Sequence, residues 1–584
     1  MKRFIENRPS SDTARRPLPP LAGNLLFLGA LFAMSLLVMA IEKPLFLLWY
    51  HAQAAEASAA ELALVVWNGL KLDQTVAGYI TALPLLVVLA ALWIPGRWSR
   101  SVLKGYLLVI AAVSATAFAA NLALYEYWAF PLDSSVLQYL ASPKEALASV
   151  TAGQLLLQLL VAAAVFGGMA WCYLRVLRLY DPARRSTHRA GSTLVLLLAA
   201  GVLFLPIRGG VSVATANVSK VYFSGRMFLN HAAVNPLFSF LSTLSDGDDA
   251  LYEYEFFPEP ERAAIFEPLR GDLPAGIGTD TLLRTRRPNV VLFLVESFGR
   301  STVDERVGGE PVAPEFQRLK GEGVYFDNLF ANSFRTDRGT VAVLSGFPAQ
   351  TKMSVMKLPV KSQRLPSIAR SLRREGYATS FYYGGDLNFT NTASYLYGTG
   401  FDRLTWQKDL HFDAPTSKWG YADDVVIDAF TDASLGRFVE RVRQTPVWND
   451  LLVILIADHA YPYPYGIANS DALRHRIPML WLGGAVRRPA VVETYGSQSD
   501  LAATLLAQLG IAHGDFLFSR DLFDPARPKF GYWCFNNGFG VADAGGTTIF
   551  DCTSARVISP DSTAAQLRDG KAMLQTTYKA IREL

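Results

Sequence analysis

Four side chains of this chain are of the types that hold a divalent cation and activate an alcohol: Glu296, Thr336, Asp458 and His459. Glu296 closes the apolar run RRPNVVLFLVES, Asp458 and His459 close NDLLVILIADHA, and Thr336 opens an expected helix in NSFRTDRGTVAVLSG. Carboxylate oxygens and an imidazole nitrogen suit ions such as Mn2+, Mg2+ or Zn2+. A cation held there activates a hydroxyl as a nucleophile. In a mostly parallel sheet, the carboxyl ends of strands and the helix starts that follow them line one crevice. The elements around these four residues must therefore bring them to a single point.

Each residue also has a plainer reading that the sequence leaves open. Glu296 can cap the helix after its strand, Thr336 can be an N-cap, and an Asp–His pair after an apolar strand can be a turn. The shared placement of all four at strand ends favours the site. Asp386, Asn388 and Asn391 in GGDLNFTN fit loop chemistry and substrate contact equally well. His475 in RHRIP stands either near the site or in a surface loop before a buried strand. The Tyr–Pro series at 461–465 reads as a rigid loop rather than a set of ligands.

After Arg287, strand-like runs at 289–295, 379–383, 451–456 and 479–482 alternate with helical patterns at 365–375, 433–443 and 499–509. That alternation predicts a parallel sheet covered by helices on both faces. The N-terminal part is different in kind. With 584 residues, 51% of them hydrophobic, the chain is too apolar for one soluble domain. The excess lies in five stretches, 21–41, 75–95, 102–124, 153–174 and 191–207, each near the span of about 20 residues that a bilayer needs. The first is too long, and followed by too many others, to be a cleaved signal peptide.

Basic residues flank alternate connections: Lys2, Arg3, Arg8, Arg15 and Arg16 at the head, Arg97, Arg100 and Lys104, then Arg175, Arg178, Arg184, Arg185 and Arg189. By the positive-inside rule these loops are cytoplasmic, and an odd number of spans delivers everything after about Arg208 to the far side. In a bacterium that is the periplasm or the outer face of the cytoplasmic membrane. The net charge of +4 is a signal of topology. Without basic–aromatic interleaving it does not point to nucleic acid. The expected organisation is a cytoplasmic tail (1–20), a five-helix transmembrane domain (21–207), a connector (208–287) and an α/β domain (288–584). The connector is expected to hold two interfacial helices around 221–241 and the linker GDLPAGIGTDT. Cys172 reads as a small apolar residue of the fourth span, and Cys534 and Cys552 could pair in an oxidising compartment.

The segments VESFGRS, NSFRTDRGTVAVLSGFP, YYGGDLNFTN, IADHAYPYPYG and HRIPMLWLGG together resemble the sulfatase-like extracellular domain of the lipoteichoic acid synthase and phosphoglycerol transferase family. That family belongs to the alkaline phosphatase superfamily. The resemblance runs from about Pro288 to Gly510, and five preceding spans match the family's layout. It implies that Glu296, Thr336, Asp458 and His459 bind one divalent metal, usually manganese, and that Thr336 is the nucleophile. It also implies that Arg335, Asp386, Asn388, Asn391 and His475 contact substrate. A membrane phospholipid such as phosphatidylglycerol is the implied donor and a glycan or polymer alcohol the acceptor.

This chain departs from the family in two places. Phe389–Thr390–Asn391 stands where relatives carry a Trp–Asn–Arg-like element, and the interval from Thr336 to Asp458 is short, lacking a central strand and a Ser–His-containing loop. The alternatives are a phosphoethanolamine transferase, a phosphodiester hydrolase with the same core, or a catalytically impaired scaffold. A true sulfatase is disfavoured, because Cys552-Thr-Ser-Ala-Arg556 lacks the proline of a formylglycine segment. High Ala and Arg usage points to a GC-rich, Gram-negative source and an envelope polysaccharide acceptor.

Overall fold

Among the described residues, five helices of the computed structural model are long and apolar enough to cross a membrane: α1 (Pro20–Trp49), α2 (Ala59–Trp93), α3 (Trp98–Tyr127), α4 (Ala152–Leu177) and α5 (Arg189–Arg208). The structure describes residues 19–94, 96–134, 136–137, 151–183, 186–250, 254–272, 281–411, 416–417, 420–421, 432–463 and 467–584. The basic head, Arg184 and Arg185, residues 273–280 of the linker and the interval just before Asp432 lie outside them. Two compact units result, 1–211 with 235–240, and 212–234 with 241–584. Helices occur where the interfacial pair was expected, at Met227–Ala233 and Pro236–Ala250.

Local chemistry sets the helix starts of the first unit. Ser58 and Glu61 form a reciprocal capping box that begins α2, and Thr151 and Gln154 do the same for α4. Helix α2 thus begins at Ala59, ahead of the apolar stretch at 75–95 that it contains, and Asp73, which precedes that stretch, is paired inside the bundle. Lys43 Nζ donates to Asp73 Oδ1 at 2.5 Å, and Asn235 Nδ2 donates to the same oxygen at 2.9 Å. Lys43 and Asp73 are both buried. Removing one partner strands a buried charge, which costs about 3–5 kcal/mol, whereas an apolar pair of similar size is far less harmful. Asp73→Ala is therefore expected to lower thermal stability in detergent sharply, and adding Lys43→Met to recover much of the loss. Equal stability of the single and double variants would contradict this reading of the pair.

The second unit is built on a sheet of six strands. In chain order they are β1 (Asn289–Val295), β2 (Val324–Phe330), β3 (Leu451–Ala457), β4 (Arg476–Leu482), β5 (Ala490–Val492) and β6 (Gly496–Ser497). Their order is β1-β3-β4-β2-β5, with β6 also on β2. The β1–β3 pair is parallel, as expected, but β4 runs antiparallel to both β3 and β2. The expected parallel sheet is thus a mixed one. Residues 458–475 hold no crossover helix among the described residues, only a short 3-10 turn at Ala472–Arg474, so the chain returns in the opposite sense.

Every residue of β3 is buried, because helices cover both faces of the sheet. Leu452, Ile454 and Ile456 join one core with Met479, Trp481, Val341 and Leu505. Leu451, Val453 and Leu455 join the other with Leu480, Phe316 and Val439. The period-2 alternation of strand side chains divides them this way. Two-sided burial also explains why the run reads as continuously apolar. The strand expected at 379–383 is not in this sheet; Ser380–Tyr383 pairs in parallel with Arg403–Trp406 by itself. A four-stranded antiparallel sheet spanning 531–557 and the helix Ala564–Glu583 complete the unit. Cys534 and Cys552 lie there as free thiols.

Candidate active site

Because β1 and β3 are adjacent and parallel with Val295 opposite Ala457, the next residues, Glu296 and Asp458, emerge side by side. The third element is helix α6 (Thr336–Ser345), which follows β2 and ends at Gly346 in the left-handed region, φ +58°. Gly339 lets α6 approach the end of β3. A Cβ there would sit 2.3 Å from the carbonyl oxygen of Asp458. Thr336 is the first helical residue, and Arg335 occupies the cap position without a side-chain cap bond. The capping role considered for Thr336 is thus filled by another residue, and its hydroxyl is turned toward the carboxylates.

Thr336 Oγ1 donates to Glu296 Oε2 at 3.1 Å and lies 3.4 Å from His459 Nε2. The same nitrogen is 3.4 Å from Glu296 Oε1 and 3.3 Å from Asp458 Oδ2. One ligand atom from each of Glu296, Asp458 and His459 falls within 4.8 Å of the others. Asp458 is 1% exposed; its Oδ1 accepts from the backbone N–H groups of Ser297 and His459, while the buried Oδ2 has no hydrogen-bond partner. His459 Nδ1 faces the Ala460 carbonyl at 3.0 Å, which places a ring proton there and aims Nε2 into the cluster. Two carboxylates, one orphaned oxygen, an imidazole and a hydroxyl converging in this way fit a divalent cation.

Ser297 holds the arrangement together, and the sequence reading missed it. Its Oγ donates to Glu296 Oε1 at 2.8 Å, and its N–H reaches Asp458 Oδ1 at 2.8 Å. Ser297 has φ +55°, a conformation that costs a non-glycine residue on the order of 1–3 kcal/mol and persists where surroundings impose it. Gln498 is a second such residue. Its Nε2 donates to the Asp458 carbonyl at 2.9 Å, fixing the end of β3.

The remaining candidates make no hydrogen bond with the cluster. Arg335 is exposed beside Thr336, with its guanidinium 5.7 Å from the Phe334 ring centroid. Asp386 Oδ1 accepts from the backbone N–H and side-chain amide of Asn388, an Asx turn, and Asn391 Nδ2 donates to the Lys357 carbonyl. These partners lie outside the carboxylate–imidazole cluster. His475 is fully buried, with ring nitrogens 3.2 and 2.9 Å from the carbonyls of Ala331 and Asn469 and its ring stacked on Trp533. It packs in the core before β4, so the surface-loop alternative does not hold.

Electrostatics follow from burial and pairing. Burial, reinforced by the charge of Glu296, pushes the Asp458 carboxyl up to about 7, against the opposing pull of His459. Burial would raise Glu296 also, but the hydrogen bond and charge of His459 outweigh it and hold that carboxyl down to about 2. Burial alone would lower His459, yet its bond to Glu296 and the charge of Asp458 raise it. A metal bound here would therefore compete with protons for Asp458 and His459. Mn2+ affinity measured by calorimetry is expected to fall about tenfold or more per pH unit below about 7, where Asp458 takes up its proton. An affinity flat from pH 5.5 to 8 would contradict this.

Comparison with known proteins adds the following. Residues 288–430 and 421–511 match the sulfatase family, in two stretches that overlap inside the short interval between Thr336 and Asp458. Phosphoglycerol transferase I of Xanthomonas campestris pv. campestris is 23% identical over 308 residues, covering 42% of this chain. The match spans 44% of that relative's length. An alkaline phosphatase superfamily protein from Vibrio parahaemolyticus aligns over 57% of this chain and 98% of its own, with 22% identity and a TM-score of 0.48. The lipoteichoic acid synthase LtaP from Listeria monocytogenes aligns over 56% and 98%, with 15% identity and a TM-score of 0.45.

Proposed function

We propose that this chain, which carries a sulfatase-family domain, is a membrane-anchored phosphotransferase that moves a phosphoglycerol-type headgroup from a membrane phospholipid to a glycan or envelope-polymer alcohol. The observation that carries this reading is the Thr336 hydroxyl, 3.1 Å from Glu296 and 3.4 Å from His459 in a cluster completed by Asp458. A divalent cation held by Glu296, Thr336, Asp458 and His459, with Mn2+ the first choice, would favour the ionised hydroxyl and neutralise charge on the attacked phosphate. Glu296 Oε2 holds the hydroxyl proton and so orients a lone pair of Oγ1 away from the carboxylate. Oγ1 attacks the donor phosphorus as its proton is lost to solvent, the phosphorus–oxygen bond to the glyceride breaks, and the leaving alkoxide takes a proton from solvent and departs as diacylglycerol. The acceptor alcohol then attacks the phospho-threonine and restores Thr336.

The five apolar helices support a lipid donor, because tethering the domain beside a bilayer raises the effective concentration of its substrate. In this reading the domain lies on the periplasmic or outer face of the bacterial cytoplasmic membrane. Purified protein, given Mn2+ and vesicles of headgroup-labelled phosphatidylglycerol or phosphatidylethanolamine, should release diacylglycerol from the first. Preference for phosphatidylethanolamine would make it a phosphoethanolamine transferase, and label appearing only in water-soluble glycerol phosphate would make it a hydrolase. Release from neither lipid would overturn the proposal.

A further inference from the structure

We propose that Arg474 is a phosphate-binding residue of this site, and that it takes an anionic phosphodiester. The inference rests on the phosphotransferase reading for its substrate and on the state of one guanidinium for its evidence. Arg474 ends the 3-10 turn that leads into β4, on the return from Asp458. It is 5% exposed, and its Nε and Nη1 are buried with no hydrogen-bond partner. Burial lowers its proton affinity, and the one charge that opposes this is Asp458. An isolated buried cation is costly and normally comes with a partner. Asp458 is an incomplete one, since its Oδ1 is taken by two backbone N–H groups and its Oδ2 faces His459.

The two buried nitrogens of Arg474 lack an acceptor. A phosphodiester would supply one, and its non-bridging oxygens suit the planar fork of a guanidinium. Arg335, exposed and beside an aromatic ring, lacks this buried, unsatisfied character.

The test uses the intact chain in detergent, loaded with Mn2+, and dimethyl phosphate, an inert phosphodiester monoanion, as the probe. Binding is read from the paramagnetic broadening of its 31P resonance, with neutral trimethyl phosphate as the control. Arg474→Gln is expected to weaken dimethyl phosphate binding at least about tenfold while Mn2+ affinity stays within about threefold, and trimethyl phosphate should not discriminate. Arg474→Lys, which keeps the charge and loses the fork, should fall between the two, and it serves if the glutamine variant does not fold. No binding by the wild type, or equal binding by folded wild type and variants, overturns the proposal. Arg474-dependent binding without headgroup transfer would sink the transferase reading alone, and transfer that is indifferent to Arg474 would sink this inference alone.

Discussion

Thr336→Ala is expected to lower the rate of headgroup transfer by at least about 10⁴-fold while leaving the domain folded. The magnitude follows from the role: removing a nucleophile that forms a covalent intermediate eliminates the pathway rather than weakening it. Folding survives because Arg335, not Thr336, occupies the cap of α6, and the threonine side chain makes its bonds only within the cluster. The stability cost should stay within about 1 kcal/mol. Thr336→Ser keeps the hydroxyl and should retain measurable transfer. Initial rates of diacylglycerol release, with thermal unfolding as the folding control, check the pair. Turnover by the alanine variant within about tenfold of the wild type would remove Thr336 from the chemistry.

Gly339→Ala should be nearly as damaging, although residue 339 touches no substrate. The added Cβ would meet the Asp458 carbonyl oxygen at 2.3 Å, its carbon at 2.9 Å and its Cα at 3.1 Å. These are backbone atoms at the end of a fully buried central strand, so neither partner can swing aside. Either α6 or the strand end must shift, which separates Thr336 from Asp458. A displacement of about 1 Å costs on the order of 10²-fold in rate. Overpacking should also cost about 1–3 kcal/mol of stability. The expected signature is a loss of Mn2+ affinity and of transfer together, measured by calorimetry and by lipid turnover. Wild-type values for both would show that the close approach of α6 is unimportant.

Much of this cluster was readable in the sequence because three of its members lie at the ends of long apolar runs. Leu451–Ala457 reads as a strand since both its faces are buried, and Asp458 and His459 are then placed by chain continuity. Glu296 follows in the same way from β1. The direction of β4 was not readable, because a sheet strand carries the same apolar pattern in either sense. Only the shortness of the 458–475 return distinguishes the two. Val324–Phe330 escaped notice as a strand, although two sheet neighbours and β6 pair with it, because Asp327 and Asn328 interrupt its apolar pattern. Helix α2 extends well before the apolar stretch at 75–95, because Lys71 and Asp73 break the apolar count while Asp73 is in fact paired with Lys43. Ser297 and Gln498 gave no motif at all. Their roles depend on a backbone angle and on contacts across 161 and 40 residues, respectively. Gly339 did leave a trace, since a glycine inside the opening turns of a helix is costly unless something must come close.

The central claim is that Glu296, Thr336, Asp458 and His459 share one ion, with the threonine oxygen among its ligands. Anomalous diffraction from crystals soaked in Mn2+ tests it most directly. The account predicts one strong peak bonded to Thr336 Oγ1, a Glu296 carboxylate oxygen, Asp458 Oδ2 and His459 Nε2. A peak bonded to other residues, or one from which Thr336 Oγ1 is turned away, would contradict it.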